Sequence, residues 1–416
     1  MLDMIAGIDF CRDYTQLSVF NRTTLTPDSI ALAKDKMGLR AATSVSYMKE
    51  NGEWLIYSDI HDSEPERFEC IKNIYDLAER GETVTVNGTE FGMDVVLAGF
   101  FRRILGAATT GVADAAIKGL TVTIKRHNTG LEKTIAAAMR RMGIDEDSYR
   151  VFTHIECFMY FVVMQNRDIW LNDVGIFDFD EEGFKSYILR FGRKQQPMTV
   201  VAEEKDMSDV IRYDMLEDSK REALLFAFEN MCGMLLHKQT ISAVYATGNG
   251  FDSNWADEVL KRMCNGRRIF RGQNLYAKGA AYASLLTFEN GSDGYVIIGE
   301  DALKSSISLR AVSNAELIEI PFGRIGQKYT EAGGSTEIIM DRTDEIDFMI
   351  HNAMKKDFFC AIMTLDSLRI RSDKTVRLRV DVKFVSRDAA VITVTDVGFG
   401  SIRPTNYRIW EQVISL

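Results

Sequence analysis

Four short motifs follow one another along the first two thirds of the sequence. Two apolar segments each end in an aspartate, at Asp9 and at Asp178, and a glycine turn follows at residues 246–251. A helix rich in small residues is predicted within residues 272–283. Aspartates at strand ends and glycines in tight turns bring carboxylate and backbone groups close to a ligand. These strand ends and this turn are therefore the candidate ligand site.

The composition is that of an ordered globular chain. The 416 residues are 46% hydrophobic and include only five prolines, enough for two or three domains with their own cores. No apolar run approaches the roughly 18 residues of a membrane span, so none is expected. The first residues lack the cationic region that opens a secretory signal, so we expect no such signal.

Charge and cysteine usage narrow the class of partner. The formal net charge is −10, with 60 acidic and 50 basic residues, which argues against nucleic-acid binding because that needs a basic face. Short basic clusters such as Lys125 with Arg126 are predicted to be solvated surface. The six cysteines form no Cys-x-x-Cys pair, so neither a zinc motif nor a disulfide framework is indicated. Free thiols favour a cytoplasmic protein.

Strands and turns are predicted over the first 57 residues, and strands alternating with helices follow up to about residue 290, which implies an α/β domain built on twisted sheets. The Asn51-Gly52 pair predicts a hairpin between strands at residues 45–48 and 54–57. Thr129 and Glu132 form a capping-box pattern at the start of a helix that Gly143 ends. The other predicted elements cover residues 4–10, 15–20, 91–105, 120–125, 149–153, 155–164, 186–190, 219–236, 241–246 and 254–264.

The composition changes near residues 290–294, and from there on the sequence is mostly strand. In residues 376–384 the apolar side chains take every second place, so one face is buried and the other is wet. Residues 386–388 are predicted to turn this strand into the next, at 391–395. We therefore place a domain boundary at 292/293, between domains of residues 1–292 and 293–416.

These motifs, in this order, resemble the actin, sugar-kinase and chaperone ATPase superfamily, and within it the seventy-kilodalton (DnaK-like) heat-shock chaperones. Residues 120–125 and 151–157 resemble a strand and the Asn-Glu-Pro segment of that family, and residues 317–321 resemble the entry to its β-sandwich. The resemblance covers nearly the whole chain, without the family's C-terminal helical lid. It implies an α/β actin-like ATPase fold of two lobes with ribonuclease-H-like sheets, followed by an all-β sandwich.

The resemblance also implies a site for ATP or ADP with Mg²⁺. Asp9 and Asp178 match the two acidic positions that hold magnesium through its waters. Glu156 matches the glutamate that orients water in the chaperones. These three residues would be the catalytic ones if the chain is active.

Four further residues are implied as nucleotide contacts. Gly248 and Gly250 match the turn that passes beneath the adenosine. Lys278 matches the start of the closing helix, whose small residues allow tight packing. Arg12 is a candidate phosphate contact because its planar fork suits phosphate.

Both phosphate-binding hairpins depart from that family. The glycine and threonines expected after Asp9 are replaced by residues 10–15, which contain no glycine. The glycine triplet expected after Asp178 is replaced by a segment carrying three carboxylates, Asp180, Glu181 and Glu182. A carboxylate about 4 Å from a phosphate oxygen repels it by roughly 4 kcal/mol at an effective dielectric constant near 20. Nucleotide binding is therefore predicted to be weak or absent.

Each candidate also has a structural alternative. Asp9 would simply end a strand, and residues 180–182 would form an exposed hairpin tip or, less simply, an acidic cation site. Gly248 and Gly250 would only permit a tight turn. Lys278 would be a helix-surface lysine. The five histidines do not cluster in the sequence and are predicted to be structural or exposed, with a reservation for His154, which lies close to Glu156 in the expected cleft.

Three functions remain open. We favour a chaperone-like binding protein with a degenerate ATPase domain, which takes a peptide or protein client through the sandwich. Phe348, Met349, Phe358 and Phe359 would line the groove or, alternatively, form the core. The alternatives are a divergent active Mg-ATPase, favoured by the three retained acidic positions, and an actin-like structural protein that polymerises.

Overall fold

The computed structural model describes residues 2–32, 38–56, 65–109, 115–264, 266–291, 294–355 and 357–416. The chain divides into two compact units, the first formed by Met1–Arg190 and Ala202–Ser292 and the second by Phe191–Val201 and Asp293–Leu416. The end of the predicted strand at residue 57 and the predicted boundary residues 292 and 293 lie outside the described residues. No described helix has the length and apolar character needed to cross a bilayer.

The described elements before residue 290 begin with seven strands and continue as a mixture of helices and strands. In chain order they are β1 (Leu2–Phe10), β2 (Tyr14–Asn21), β3 (Thr26–Ile30), β4 (Arg40–Ala42), β5 (Val45–Met48), β6 (Trp54–Ile56), β7 (Phe68–Ile71), α1 (Ile74–Arg80), β8 (Thr83–Val86), β9 (Thr89–Gly92), α2 (Met93–Ala108), β10 (Ala115–Ile124), α3 (Thr129–Met142), β11 (Tyr149–Thr153), α4 (His154–Val163), β12 (Asp173–Asp180), β13 (Gly183–Gly192), β14 (Met198–Asp206), α5 (Arg221–Leu236), β15 (Ile241–Thr247), α6 (Asp257–Met263), β16 (Arg268–Arg271) and α7 (Leu275–Leu285).

The elements after residue 294 are strands. They are β17 (Tyr295–Ile298), β18 (Ser305–Ser313), β19 (Glu316–Gly323), β20 (Gly333–Met340), β21 (Glu345–Asn352), β22 (Phe358–Thr364), β23 (Val376–Ser386), β24 (Ala389–Asp396) and β25 (Ile409–Ser415).

Two sheets of the first unit share one strand order. The first runs β11-β10-β1-β2-β3, with β1 parallel to β10 and antiparallel to β2. The second contains the path β16-β15-β12-β13-β14, with β12 parallel to β15 and antiparallel to β13. Strands β1 and β12 thus hold the same place in their sheets. Each carries one of the two aspartates near its C-terminal end, as the sequence predicted.

Helix α3 shows how the local sequence sets an element. Its buried face includes Leu131, Ile135 and Met139, which confirms the predicted period, and it ends at Gly143, whose φ of 77° favours glycine. The predicted cap is wrong by one residue. Asn128, not Thr129, is the N-cap, and its side chain accepts a hydrogen bond from the backbone N–H of Leu131.

Helix α7 packs at backbone distance on two of its neighbours in the first unit, β1 and α4. A Cβ atom at Gly7 of β1 would lie 2.3 Å from the backbone nitrogen of Ala281. A Cβ atom at Gly279 would lie 2.0 Å from the carbonyl oxygen of Cys157 in α4. The expected tight packing of the small residues on α7 is confirmed, and it brings the N-terminal ends of α4 and α7 together.

The second unit contains two four-stranded antiparallel sheets, β19-β18-β21-β22 and β20-β23-β24-β25, whose apolar faces share one core. The predicted alternation in β23 is confirmed, because Val376, Leu378, Val380 and Val382 are buried. The predicted turn after it is also present between β23 and β24. Strand β17 pairs in parallel with residues 198–201 of β14, which belong to the same unit.

Candidate functional site

A cleft of about 420 Å³ opens in the first unit. It lies where β1, β10 and β12 end. Strands β1 and β10 are parallel neighbours in one sheet, whereas β12 belongs to the other. Its lining is dominated by charged and polar side chains, including Arg12, Lys125, His154, Asp178 and Tyr276. Both sequence-predicted aspartates are buried here, Asp178 in the cleft wall and Asp9 beside it, in contact with His154.

A chain of side-chain contacts links the two aspartates. His154 Nε2 lies 2.8 Å from Asp9 Oδ1, and Tyr276 Oη donates a hydrogen bond of 2.6 Å to Asp178 Oδ2. The His154 and Tyr276 rings stack, with centroids 4.0 Å apart and planes 13° from parallel. Each carboxylate therefore already has a hydrogen-bonding partner within the protein. His154 opens α4 and Tyr276 lies in the first turn of α7, so the close packing of these helices builds the contact.

Burial shifts the pKa values of two groups in this series of side-chain contacts. Burial, and next the charge of Asp180, raise the pKa of Asp178 to about 6, against the opposing effect of the Tyr276 hydrogen bond. Burial, and next the charge of Asp178, raise the pKa of Tyr276 well above its ordinary value, so the phenol stays protonated as a donor. His154 Nδ1 is buried without a hydrogen-bond partner among the described residues. The polar chain is thus not fully satisfied by protein atoms.

A lysine from the first sheet pairs with two carboxylates of the acidic turn between β12 and β13. Lys125 Nζ, just after β10, lies 2.6 Å from Asp180 Oδ2 and 2.9 Å from Glu182 Oε2. The prediction that Lys125 is solvated surface is wrong, since its side chain is only 20% exposed and bridges two carboxylates. Glu181 and Glu182 are exposed at the hairpin tip, as the structural alternative expected.

Arg12 is held by three carboxylates. Its guanidinium contacts Asp76 at 2.6 Å, Glu182 at 3.0 Å and Glu79 at 3.1 Å. Every nitrogen of the planar fork has an anionic partner, so a phosphate group would have to displace at least one of them.

Glu156 takes part in the N-terminal cap of α4. Its Oε2 accepts hydrogen bonds from the backbone N–H and the hydroxyl of Thr153, at 2.7 and 2.9 Å, while the Thr153 hydroxyl caps the backbone N–H of Glu156. This is a capping box, which the spacing Thr153-x-x-Glu156 encodes directly in the sequence. The glutamate matched to water orientation thus has a helix-capping role that accounts for its position.

Gly248 and Gly250 bring their turn against the end of β12. A Cβ atom at Gly248 would lie 2.2 Å from the carbonyl oxygen of Phe179, and one at Gly250 would lie 2.4 Å from the Phe179 ring. Gly248 also has a φ of 93°. Both glycines are therefore explained by close packing. Lys278 is half-buried on α7 and is not among the residues found to line the cleft.

Sequence reasoning missed the roles of Lys125 and Tyr276, and it placed His154 near the cleft without predicting its contact with Asp9. Each lies in a short segment at the end of a strand or the start of a helix, which is the signal that could have drawn attention to them. Their partners lie 55 to 145 positions away, so only the fold identifies the contacts.

Comparison with known families assigns both parts of the chain. A sequence model described as the C-terminal part of a family of unknown function, DUF5716, matches residues 26–300. A second, described as a domain of unknown function, DUF8552, matches residues 302–416. Since the first match covers about two thirds of the chain, the protein belongs to the DUF5716 family. No curated protein matches the sequence.

Proposed function

We propose that the chain is a chaperone-like binding protein whose first unit has an actin-like ATPase fold with a degenerate nucleotide site. The shared strand order of the two sheets, with an aspartate near the end of each central strand, supports the fold. One observation supports the loss of nucleotide binding. His154 lies in hydrogen-bonding contact with Asp9, and Tyr276 hydrogen-bonds to Asp178, where a hydrated magnesium ion would have to bind.

The charges of the cleft support the same proposal. Lys125 and Arg12, the basic groups nearest the acidic turn, are each paired with two or more carboxylates. A triphosphate would compete with these carboxylates for the bases and would be repelled by those it displaced. The residues of the cleft therefore do not suit the binding of Mg-ATP.

We assign the binding of a client to the second unit, because its edge strand β22 exposes apolar side chains. Phe358, Phe359 and Ile362 are 54%, 48% and 51% exposed, respectively, in this strand. Within the described residues, β22 pairs only with β21, so its outer backbone N–H and C=O groups are available to another strand. Phe348 and Met349, the other two predicted groove residues, are buried.

The other edges of these two sheets carry features that discourage strand addition. Strand β19 contains Glu316, Glu319 and Pro321, and its pairing with β18 is irregular. Strand β20 begins with two glycines and contains Glu337, and β25 contains Glu411. By contrast, β22 has no charge, no proline and a regular register. An apolar edge lacking these protective features suits an extended apolar peptide that adds as a further strand.

We further propose a cytoplasmic location and a peptide or protein client, not a nucleic acid. All six cysteines, which lie within the described residues, are free, and Cys157 and Cys232 are buried. This is typical of a reducing compartment. The net charge of −10 supports the exclusion of nucleic acid.

Binding of a fluorescently labelled, extended apolar heptapeptide, followed by anisotropy, tests the client site. Phe358→Lys is expected to weaken binding at least about tenfold, because burying an exposed phenylalanine is worth about 1.5–3 kcal/mol and the lysine adds a charge to the interface. The matched control is Ile409→Lys on the edge strand β25, where the side chain is 61% exposed. The Ile409→Lys variant should bind the peptide with an affinity within about twofold of that of the parent chain.

A second peptide separates strand addition from general stickiness. The same sequence with N-methyl groups on alternate residues cannot form the backbone ladder and should bind much more weakly. Equal binding of the two peptides, or equal loss in the Phe358 and Ile409 variants, would contradict a site at β22.

A further inference from the structure

Three side-chain atoms that could bind a metal ion, an oxygen, a sulfur and a nitrogen, lie close together at the end of β1. Asp9 Oδ1 lies 3.2 Å from Cys11 Sγ and 2.8 Å from His154 Nε2, and Cys11 Sγ lies 3.6 Å from His154 Nε2. All three atoms are within 4.8 Å of one another. Asp9 and His154 are buried and Cys11 is half-buried, so solvent does not separate the donors. No contact among those described above explains why a thiol is placed between a carboxylate and an imidazole.

We propose that Asp9, Cys11 and His154 form a binding site for a borderline transition-metal ion, Zn²⁺ by preference. Thiolate, imidazole and carboxylate are the three side-chain ligands that zinc takes in proteins. Magnesium prefers oxygen ligands in an octahedron, and this set offers it only one carboxylate. The proposal does not rest on the peptide-binding role or on the state of the nucleotide site.

The spacing of the three atoms is close to that of a zinc site. Tetrahedral zinc with bonds of about 2.0–2.3 Å holds its ligand atoms about 3.3–3.7 Å apart. The contacts from the sulfur atom, 3.2 and 3.6 Å, are near this range, and the 2.8 Å contact between Asp9 and His154 would widen by about 0.5 Å. Rotation of these side chains is enough to provide that change.

Two features of the surroundings suit a zinc ion. The Tyr276 ring stacks on His154 and restricts the plane of the imidazole, whose Nδ1 has no hydrogen-bond partner among the described residues and is left for a water molecule. Cys11 and His154 both line the cleft, so water from the cleft can supply the fourth ligand. One thiolate and one carboxylate balance the two positive charges of zinc, which keeps the buried complex neutral.

Metal binding replaces a hydrogen bond with a coordinate bond. Without metal, the Cys11 thiol donates to Asp9 Oδ1. When zinc binds, the S–H bond breaks, the sulfur lone pair forms the S–Zn bond, and the thiol proton passes to the buffer. The proton on His154 Nε2 passes by way of water to Nδ1, so that the Nε2 lone pair can bind zinc and the Nε2–Asp9 hydrogen bond is replaced by bonds from both residues to the ion. Zinc keeps its oxidation state, so no oxidant or reductant is needed.

Zinc titration of the metal-free full chain against a coloured chelator tests the proposal. We expect one zinc ion per chain with a dissociation constant of about 1 µM or below, as three protein ligands provide. Cys11→Ser and His154→Gln should each weaken binding at least about 100-fold, since even indirect partners of a metal are worth 10–100-fold. Cys70→Ser, which removes an exposed cysteine, is the matched control and should leave the affinity unchanged.

Cobalt substitution of the parent chain gives a readout that does not depend on the variants folding. A thiolate-to-cobalt charge-transfer band in the near ultraviolet, absent in Cys11→Ser and retained in Cys70→Ser, would support the site. The absence of this band in the parent chain would overturn the proposal. Zinc binding that is unchanged in Cys11→Ser, or that is displaced by equimolar Mg²⁺, would also overturn it.

Discussion

Replacing Gly279 with alanine is expected to lower the free energy of unfolding by about 3 kcal/mol, the upper part of the range for overpacked sites. The added Cβ atom would lie 2.0 Å from the carbonyl oxygen of Cys157 and 3.3 Å from Cβ of Phe161. The first of these is backbone in α4, so the clash is relieved only if α4 and α7 separate. That separation would also disturb the stacking of His154 on Tyr276.

Gly233→Ala in α5 is the matched control, because a Cβ atom there meets nothing within 4 Å. Alanine has the higher helix propensity, so this variant should gain about 0.5–1 kcal/mol. Urea denaturation followed by circular dichroism measures both variants. If Gly279→Ala were as stable as Gly233→Ala, the close packing of α4 and α7 would be contradicted.

Replacing Asp178 with asparagine is expected to change how stability depends on pH. Burial and the charge of Asp180 raise the pKa of Asp178 to about 6 in the folded chain, above its ordinary value of 3.8. The folded state therefore holds this proton more tightly than the unfolded state does. The protonated Asp178 therefore stabilises the folded state fully at a pH below its ordinary pKa of 3.8, and this stabilisation is lost as the pH rises through about 6.

Asparagine cannot ionise, yet it can still accept the hydrogen bond of Tyr276. The free energy of unfolding of Asp178→Asn, relative to the parent, should therefore rise by about 3 kcal/mol between pH 3.5 and pH 7, at 1.36 kcal/mol for each unit of pKa shift. Denaturation at a series of pH values measures this difference. Asp147→Asn, at an exposed position, should show no such trend. A flat difference for Asp178→Asn would contradict the environment described for this carboxylate.

Local patterns predicted much of the secondary structure and the placement of both aspartates. The apolar runs before Asp9 and Asp178 identify strands because side-chain period and β-propensity act over a few residues. Gly143 ends α3 for an equally local reason. The strand order that makes β1 and β12 equivalent depends on pairing between distant segments, and no local pattern specifies it.

The candidate site was less accessible to sequence reasoning. The capping role of Glu156 was encoded in the spacing Thr153-x-x-Glu156 and could have been recognised. The pairing of Lys125 with Asp180 and the stacking of His154 on Tyr276 depend on how the two sheets and two helices meet. A lysine beside an arginine in sequence carries no sign of burial, which is why Lys125 was assigned to the surface.

A calorimetric and thermal-shift titration with ATP and ADP, each with and without Mg²⁺, tests whether the first unit binds a nucleotide. We expect no heat of binding and no shift at millimolar nucleotide, because Asp9, Asp178, Lys125 and Arg12 are already paired within the protein. A nucleotide at 100 times its dissociation constant would add about 2.7 kcal/mol of stability. A magnesium-dependent shift of that size would contradict the degenerate site and favour a divergent, active Mg-ATPase.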